Sequence, residues 1–214
     1  MRTAAVILAG GASRRMGVDK LALPRCRTED GTILAHVVQT AGAVAQDVHV
    51  AAAPSHTGQT EALKSLPIEL GTRIQVHADL APQRGPLAAL QQVWAQVQES
   101  EAVFLVAGDL PGVAPQVLQT CRDRLRVLGE SWDGVLVRRE GKVQPLLGCY
   151  RFRCKGAFVQ TYREGHARLL PALQRLRLAE IDSVLQGWPQ WWTRPVHTKE
   201  EYQTWLEACT EVYT

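Results

Sequence analysis

No apolar stretch in this 214-residue chain approaches the roughly 20 residues that a membrane-crossing helix needs. The opening apolar run is only a few residues long and leads straight into glycines, so it reads as a strand rather than a signal peptide. No membrane partner is expected. Charge of one sign is also scarce in excess: 24 Lys and Arg against 21 Asp and Glu leave a formal net charge of +3. That is too little to argue for nucleic acid. The five cysteines (Cys26, Cys121, Cys149, Cys154 and Cys209) form no Cys-x-x-Cys pair and no zinc spacing with histidine. An odd, scattered set reads as reduced thiols in a cytoplasmic protein, with Cys149 and Cys154 as packing residues. Repeats, low-complexity tracts and linkers are lacking as well. Residues 1–214 therefore read as one domain, and its 46% hydrophobic content is enough for a sizeable core.

What is present begins at the start of the chain. The apolar run Ala4-Ala5-Val6-Ile7-Leu8-Ala9 ends in Gly10-Gly11-Ala12-Ser13-Arg14-Arg15-Met16-Gly17-Val18-Asp19-Lys20. A short, partly β-branched run bounded by glycine reads as a buried strand. Gly10 and Gly11 permit conformations closed to other residues and a close approach to a ligand. Consecutive N–H groups in such a loop can cup an anion, and Arg14, Arg15 and Lys20 add positive charge beside it. A Gly-Gly pair alone is most often a turn, and a basic triplet alone is most often a solvated face. Combined at the end of a first strand, they point to a polyphosphate. The loop is neither Gly-x-x-x-x-Gly-Lys-Ser/Thr nor Gly-x-Gly-x-x-Gly, so both common nucleotide motifs fail.

Downstream, strand and helix signals alternate. Thr32 is a candidate N-cap for a helix carrying Ile33, Leu34, Val37, Val38, Ala41 and Val44 on one face. Strands are expected near 48–53, 74–78 and 102–107, the last an apolar run suited to a central parallel strand. Gly85-Pro86 opens a helix, and proline suits its first position. Residues 115–128 read as a helix, 134–138 and 143–150 as strands, 152–163 and 168–176 as helices, and 199–209 as a closing helix. The alternation argues for an α/β fold, a three-layer α/β/α sandwich on a mostly parallel sheet.

In such sheets ligands lie beyond the carboxyl ends of the strands, which is where the residue 10–20 loop, Asp79 and Asp109 fall. Asp109, in Gly108-Asp109-Leu110-Pro111, could be a turn former. Beside a polyphosphate loop it reads better as a Mg²⁺ ligand, because that ion needs only one or two carboxylates besides phosphates and water. Gly85 would let the backbone approach a base or ribose, or simply lead into its helix.

Leu8-Ala9-Gly10-Gly11-Ala12-Ser13-Arg14-Arg15-Met16-Gly17-Val18-Asp19-Lys20 resembles the signature loop of the nucleotidyltransferases related to molybdenum cofactor guanylyltransferase. It matches Leu-Ala-Gly-Gly-x-Ser-x-Arg-Met-Gly-x-Asp-Lys at every fixed position. The resemblance implies a Rossmann-like nucleotidyltransferase fold. It places the nucleotide on Leu8, Ala9, Gly10, Gly11, Ser13, Lys20, Asp79, Gly85 and Asp109, with Asp109 also carrying the metal. The stretch from Asp79 to Gly85-Pro86-Leu87-Ala88-Ala89 is similar to a family segment whose aspartate helps hold the nucleoside.

Gln144-Pro145-Leu146-Leu147-Gly148-Cys149-Tyr150 resembles a family strand bordering the second substrate; Pro145 suggests an edge or a bulge. An Asn-Thr-Pro-Glu-Glu-like element precedes the last helix in much of the family. Here it reads His197-Thr198-Lys199-Glu200-Glu201, a departure at His197 and Lys199 that leaves the contact with substrate open. Thr198-x-x-Glu201 still reads as a capping box. The indoles of Trp188, Trp191 and Trp192 are expected under the closing helix, although exposed rings could stack on a pterin.

The implied reaction is GMP transfer from GTP to the terminal phosphate of molybdenum-loaded molybdopterin, releasing pyrophosphate. Lys20 and Arg15 would neutralise the triphosphate and Mg²⁺ would sit on Asp109, while molybdoenzymes or their chaperones would receive the product. Gly11 favours guanine, since Leu-Ala-Ala-Gly accompanies cytosine in this resemblance. The alternatives are a CTP-dependent relative, one acting on a sugar or polyol phosphate, and a non-catalytic GTP-binding accessory protein.

Overall fold

The computed structural model describes residues 1–9, 19–27, 31–52, 63, 73–78, 84–98 and 100–212, with side chains through residue 209. Seven strands form one sheet: β1 (Thr3–Ala9), β2 (Asp47–Ala52), β3 (Arg73–Ala78), β4 (Ala102–Ala107), β5 (Gly134–Arg139), β6 (Lys142–Arg151) and β7 (Leu178–Asp182). Their spatial order is β3-β2-β1-β4-β6-β5-β7. The four strands from β3 to β4 are mutually parallel, β6 runs antiparallel to β4 and β5, and β7 is parallel to β5. The sheet is thus mostly parallel, as its apolar strands suggested.

Helices cover both faces. On one, Ala5, Ile7 and Ala9 of β1 pack with α1 (Ile33–Gly42) and α3 (Pro115–Leu128) through Leu34, Val37, Val38, Val117, Leu118 and Cys121. On the other, Ala4, Val6 and Leu8 meet α2 (Pro86–Trp94), α4 (Lys155–Arg163) and α5 (Leu170–Leu173). The two-residue alternation of a strand with both faces covered produces this division. α1 begins where Thr32 accepts a hydrogen bond from Ala35 N, and α3 runs from Pro115 at its first turn to Gly129 at φ +74°.

Several expectations need correction. The expected helix over 168–176 shrinks to α5, and β7 follows where no strand was expected. Pro145 lies in an interior strand rather than at an edge; the register between β5 and β6 shifts beside it, so the bulge half of that expectation is what the strand uses. Cys26 and Cys209 are joined as a disulfide, with Cα atoms 6.1 Å apart, so the reading of five reduced thiols fails for this pair. Cysteine usage therefore no longer supports a reducing compartment. Cys121, Cys149 and Cys154 are free and buried, in keeping with packing roles.

A third, smaller cluster lies around the closing helix α6 (Lys199–Val212): Cys26, Trp191, Val196, Trp205, Leu206 and Cys209. Trp191 is buried and meets Trp205 edge-on at 5.3 Å, whereas Trp188 and Trp192 are half-buried against the main core.

Candidate active site

β1 and β4 are neighbours, yet β2 and β3 are added on the far side of β1. The direction of strand addition reverses between β1 and β4, and a crevice at such a point is where open α/β sheets bind ligands. Leu8 stands opposite Ala107 in the ladder, so both strands end together at that crevice.

Past β4, Gly108 donates its N–H to Leu8 O at 3.0 Å. A Cβ there would lie 3.2 Å from that oxygen and 3.3 Å from Ala9 Cα. Glycine thereby lets the turn close against β1 and delivers Asp109 to the crevice. From a separate segment, Asp19 accepts a hydrogen bond from Leu21 N at 3.1 Å and starts a single 3₁₀ turn, Lys20–Ala22. Leu21 is buried in the core, which fixes that turn. Lys20 Nζ then donates to Asp109 Oδ2 at 2.5 Å and to Val196 O at 3.2 Å.

The strap before α6 completes the arrangement. Val196 N donates to Asp109 O at 2.9 Å, and His197 Nδ1 lies 3.4 Å from Asp109 Oδ2. Glu201 Oε2 accepts from His197 N (2.7 Å) and Thr198 N (3.1 Å), while Glu201 N donates to Thr198 Oγ1 (3.2 Å). The capping box expected from the sequence is thus formed, and it holds the backbone of His197 in place. Trp205 Nε1 donates to Arg25 O at 2.5 Å and Tyr202 OH to Pro24 O at 2.7 Å, tying α6 to the segment that carries Lys20.

Burial alone would push the Asp109 carboxyl up. The hydrogen bond from His197, and the charge and hydrogen bond of Lys20, outweigh it and hold the carboxyl below its ordinary value. Asp109 is therefore an anion at neutral pH, only 15% exposed. By contrast, desolvation pushes the Cys149 thiol upward and lifts Cys121 and Cys154 to about 12, which makes none of them a ready nucleophile.

Of the residues expected from the sequence, Leu8, Ala9, Lys20 and Asp109 gather at the crevice. Gly85, at the start of α2, has φ +86°, and a Cβ on it would meet Ala167 O at 2.7 Å. A close backbone contact accounts for this glycine without any ligand. Gly10, Gly11, Ser13, Arg14, Arg15 and Asp79 lie outside the described residues. The contacts of Val196 and His197 with Asp109 were not foreseen; the one local signal was their place just before a capping box.

One ionised carboxylate beside an imidazole, at a strand end, fits a divalent ion that takes its other ligands from phosphates and water. Among the described residues no group of three or more His, Cys, Asp or Glu surrounds it, so these residues alone do not form a closed metal cage.

A family model described as the MobA-like NTP transferase domain matches residues 5–180. A Synechococcus elongatus protein named "Probable molybdenum cofactor guanylyltransferase" is 36% identical over 152 residues, 71% of this chain and 73% of that protein. A Bacillus licheniformis protein of the same name is 28% identical across 95% of this chain and 96% of its own length. In fold, the crystal structure of molybdopterin-guanine dinucleotide biosynthesis protein A from Archaeoglobus fulgidus superposes with a TM-score of 0.73. It covers 97% of this chain and 99% of its own, at 18% identity.

Proposed function

The chain belongs to the MobA-like NTP transferase family, nucleotidyltransferases of molybdenum cofactor biosynthesis, and on that premise we propose that it transfers GMP from GTP to the terminal phosphate of molybdenum-loaded molybdopterin. An acceptor phosphate oxygen forms a bond to the α-phosphorus of GTP, the bond from that phosphorus to the bridging oxygen breaks, and pyrophosphate leaves. The observation that carries this reading is the Lys20–Asp109 pair at the crevice between β1 and β4.

The acceptor oxygen is already anionic, so no strong general base is called for; positioning and charge neutralisation suffice. Asp109 would hold Mg²⁺, which when bound neutralises phosphate oxygens and polarises the α-phosphorus. Lys20, its Nζ now on Asp109, would turn to the triphosphate and stabilise the departing pyrophosphate together with Arg15. Leu8, Ala9, Gly10, Gly11 and Ser13 would present main chain to the nucleotide, with Gly11 favouring guanine. Asp79 and Gly85 would border the nucleoside. Product would pass to molybdoenzymes or their chaperones.

The test is incubation with GTP, Mg²⁺ and molybdenum-loaded molybdopterin, with the product identified by mass and CTP run in parallel. The expected product is the guanine dinucleotide cofactor plus pyrophosphate. A cytosine product, or GTP binding with no pyrophosphate released, overturns the assignment.

A further inference from the structure

We propose that His197 is a second protein ligand to the divalent ion held at Asp109, and that its imidazole tilts this site toward transition-metal ions such as Mn²⁺ over Mg²⁺. The inference rests on Asp109 being the metal ligand of the proposed function.

Geometry comes first. His197 Nδ1 lies 3.4 Å from Asp109 Oδ2. Two donors each about 2.1 Å from a shared ion are about 3 Å apart across a right angle, so a shift of a few tenths of an ångström makes the pair a chelate. The backbone on either side is fixed: Val196 N–H is on Asp109 O, and His197 N–H is on Glu201 Oε2. The ring itself is 51% exposed and can turn about this anchored main chain.

Chemistry sets the preference. Mg²⁺ is a hard ion that takes oxygen ligands in a strict octahedron and gives up water reluctantly. An imidazole nitrogen adds more to the affinity of first-row transition ions, which accept mixed nitrogen and oxygen sets. Carboxylate and water ligands by themselves suit both Mg²⁺ and Mn²⁺. Among the described residues no group of three or more His, Cys, Asp or Glu lies here, and His197 is the imidazole placed beside Asp109.

The alternative is that His197 only donates a hydrogen bond to Asp109. His197→Asn separates the two readings, because it offers an amide oxygen and nitrogen of similar reach but no imidazole. Unbound Mn²⁺ is titrated by electron paramagnetic resonance, with Mg²⁺ as competitor, in the intact protein, His197→Asn and Asp109→Asn. Spin-echo modulation from ¹⁴N on bound Mn²⁺ reads the ligand directly.

The expected result is ¹⁴N modulation in the unaltered protein, lost in His197→Asn, with the Mn²⁺/Mg²⁺ affinity ratio falling about tenfold. Asp109→Asn should abolish specific binding. Modulation and ratio unchanged in His197→Asn, with GMP transfer intact, overturn the inference and leave the proposed function standing. Imidazole-bound Mn²⁺ in a protein that does not transfer GMP supports the inference and removes the function. Mn²⁺ binding that survives Asp109→Asn overturns the inference and the metal assignment together.

Discussion

Lys20 Nζ rests 2.5 Å from Asp109 Oδ2 across 89 residues of sequence, and the side chains are 19% and 15% exposed. A pair this sheltered has two separable roles. Truncating either partner leaves a charge without its counterion, at a cost of about 1–3 kcal/mol of stability. If the pair also serves chemistry, activity falls further than folding does. Lys20→Met and Asp109→Asn should each lower the rate of GMP transfer by about 10²-fold or more. The double variant should regain much of the stability in urea melts while remaining inactive. Recovery of activity in the double variant would show that the pair is a structural brace alone.

His49 of β2 and His77 of β3 form a second long-range pair, Nδ1 to Nε2 at 3.0 Å with stacked rings. Burial, the proximity of His77 and the charge of Arg73 lower the His49 pKa to about 4 against the opposing pull of Asp47; burial lowers His77 as well. In the unfolded chain His49 takes a proton near its ordinary 6.5, whereas the folded chain resists until about pH 4. Stability contributed by the neutral ring is therefore complete above pH 6.5 and declines as pH falls toward 4. Urea unfolding from pH 7.5 to 4.5 should show a loss of about 1–3 kcal/mol. His49→Asn, whose amide can replace Nδ1, should flatten that slope; an unchanged slope would assign it to other groups.

How much of this could be read in advance follows from where the information sits. The bounds of β4 are legible because Ala102-Val103-Phe104-Leu105-Val106-Ala107 is apolar on both faces, and both faces are covered. Those of α3 are legible because Pro115 and Gly129 mark its ends in the sequence itself. β7 escaped because Leu178-Ala179-Glu180-Ile181-Asp182 carries little periodicity; its ladder with β5 makes it a strand. At the site, Asp109 was legible from its place after a buried run. The contact of Lys20 with Val196 spans 176 residues, and no local pattern announces a contact of that kind. The disulfide hid for the same reason, since Cys26 and Cys209 are 183 residues apart.

Gly85 tests whether a glycine expected at a ligand is instead fixed by packing. Its φ of +86° is costly for any other residue, and a Cβ would meet Ala167 O at 2.7 Å and Ala167 Cβ at 2.9 Å. Because the nearest atom is backbone, the loop after α4 must move. Gly85→Ala should destabilise the fold by about 2–3 kcal/mol in thermal melts. If α2 also borders the nucleoside, GTP affinity measured well below the melting temperature should drop as well. A stable variant with normal melting would mean that the Ala167 loop yields freely.

The Cys26–Cys209 disulfide joins the segment carrying Lys20 to α6, and the strap before α6 carries Val196 and His197. In the oxidised protein three thiols should react under denaturing conditions, matching the three free cysteines, and all five should react after reduction. Closing so long a loop restricts the unfolded chain strongly, so reduction should lower stability by about 2–5 kcal/mol. The hydrogen bonds from Trp205 to Arg25 and from Tyr202 to Pro24 remain after reduction, as does the apolar cluster around them. The fold should therefore survive, with a lower melting temperature and weaker nucleotide binding as the strap loosens over Asp109. Cys26→Ser/Cys209→Ser should melt like the reduced protein and no longer respond to a dithiol reductant. Five reactive thiols in the untreated protein, or equal melting with and without reductant, would rule the bridge out as a brace for the site.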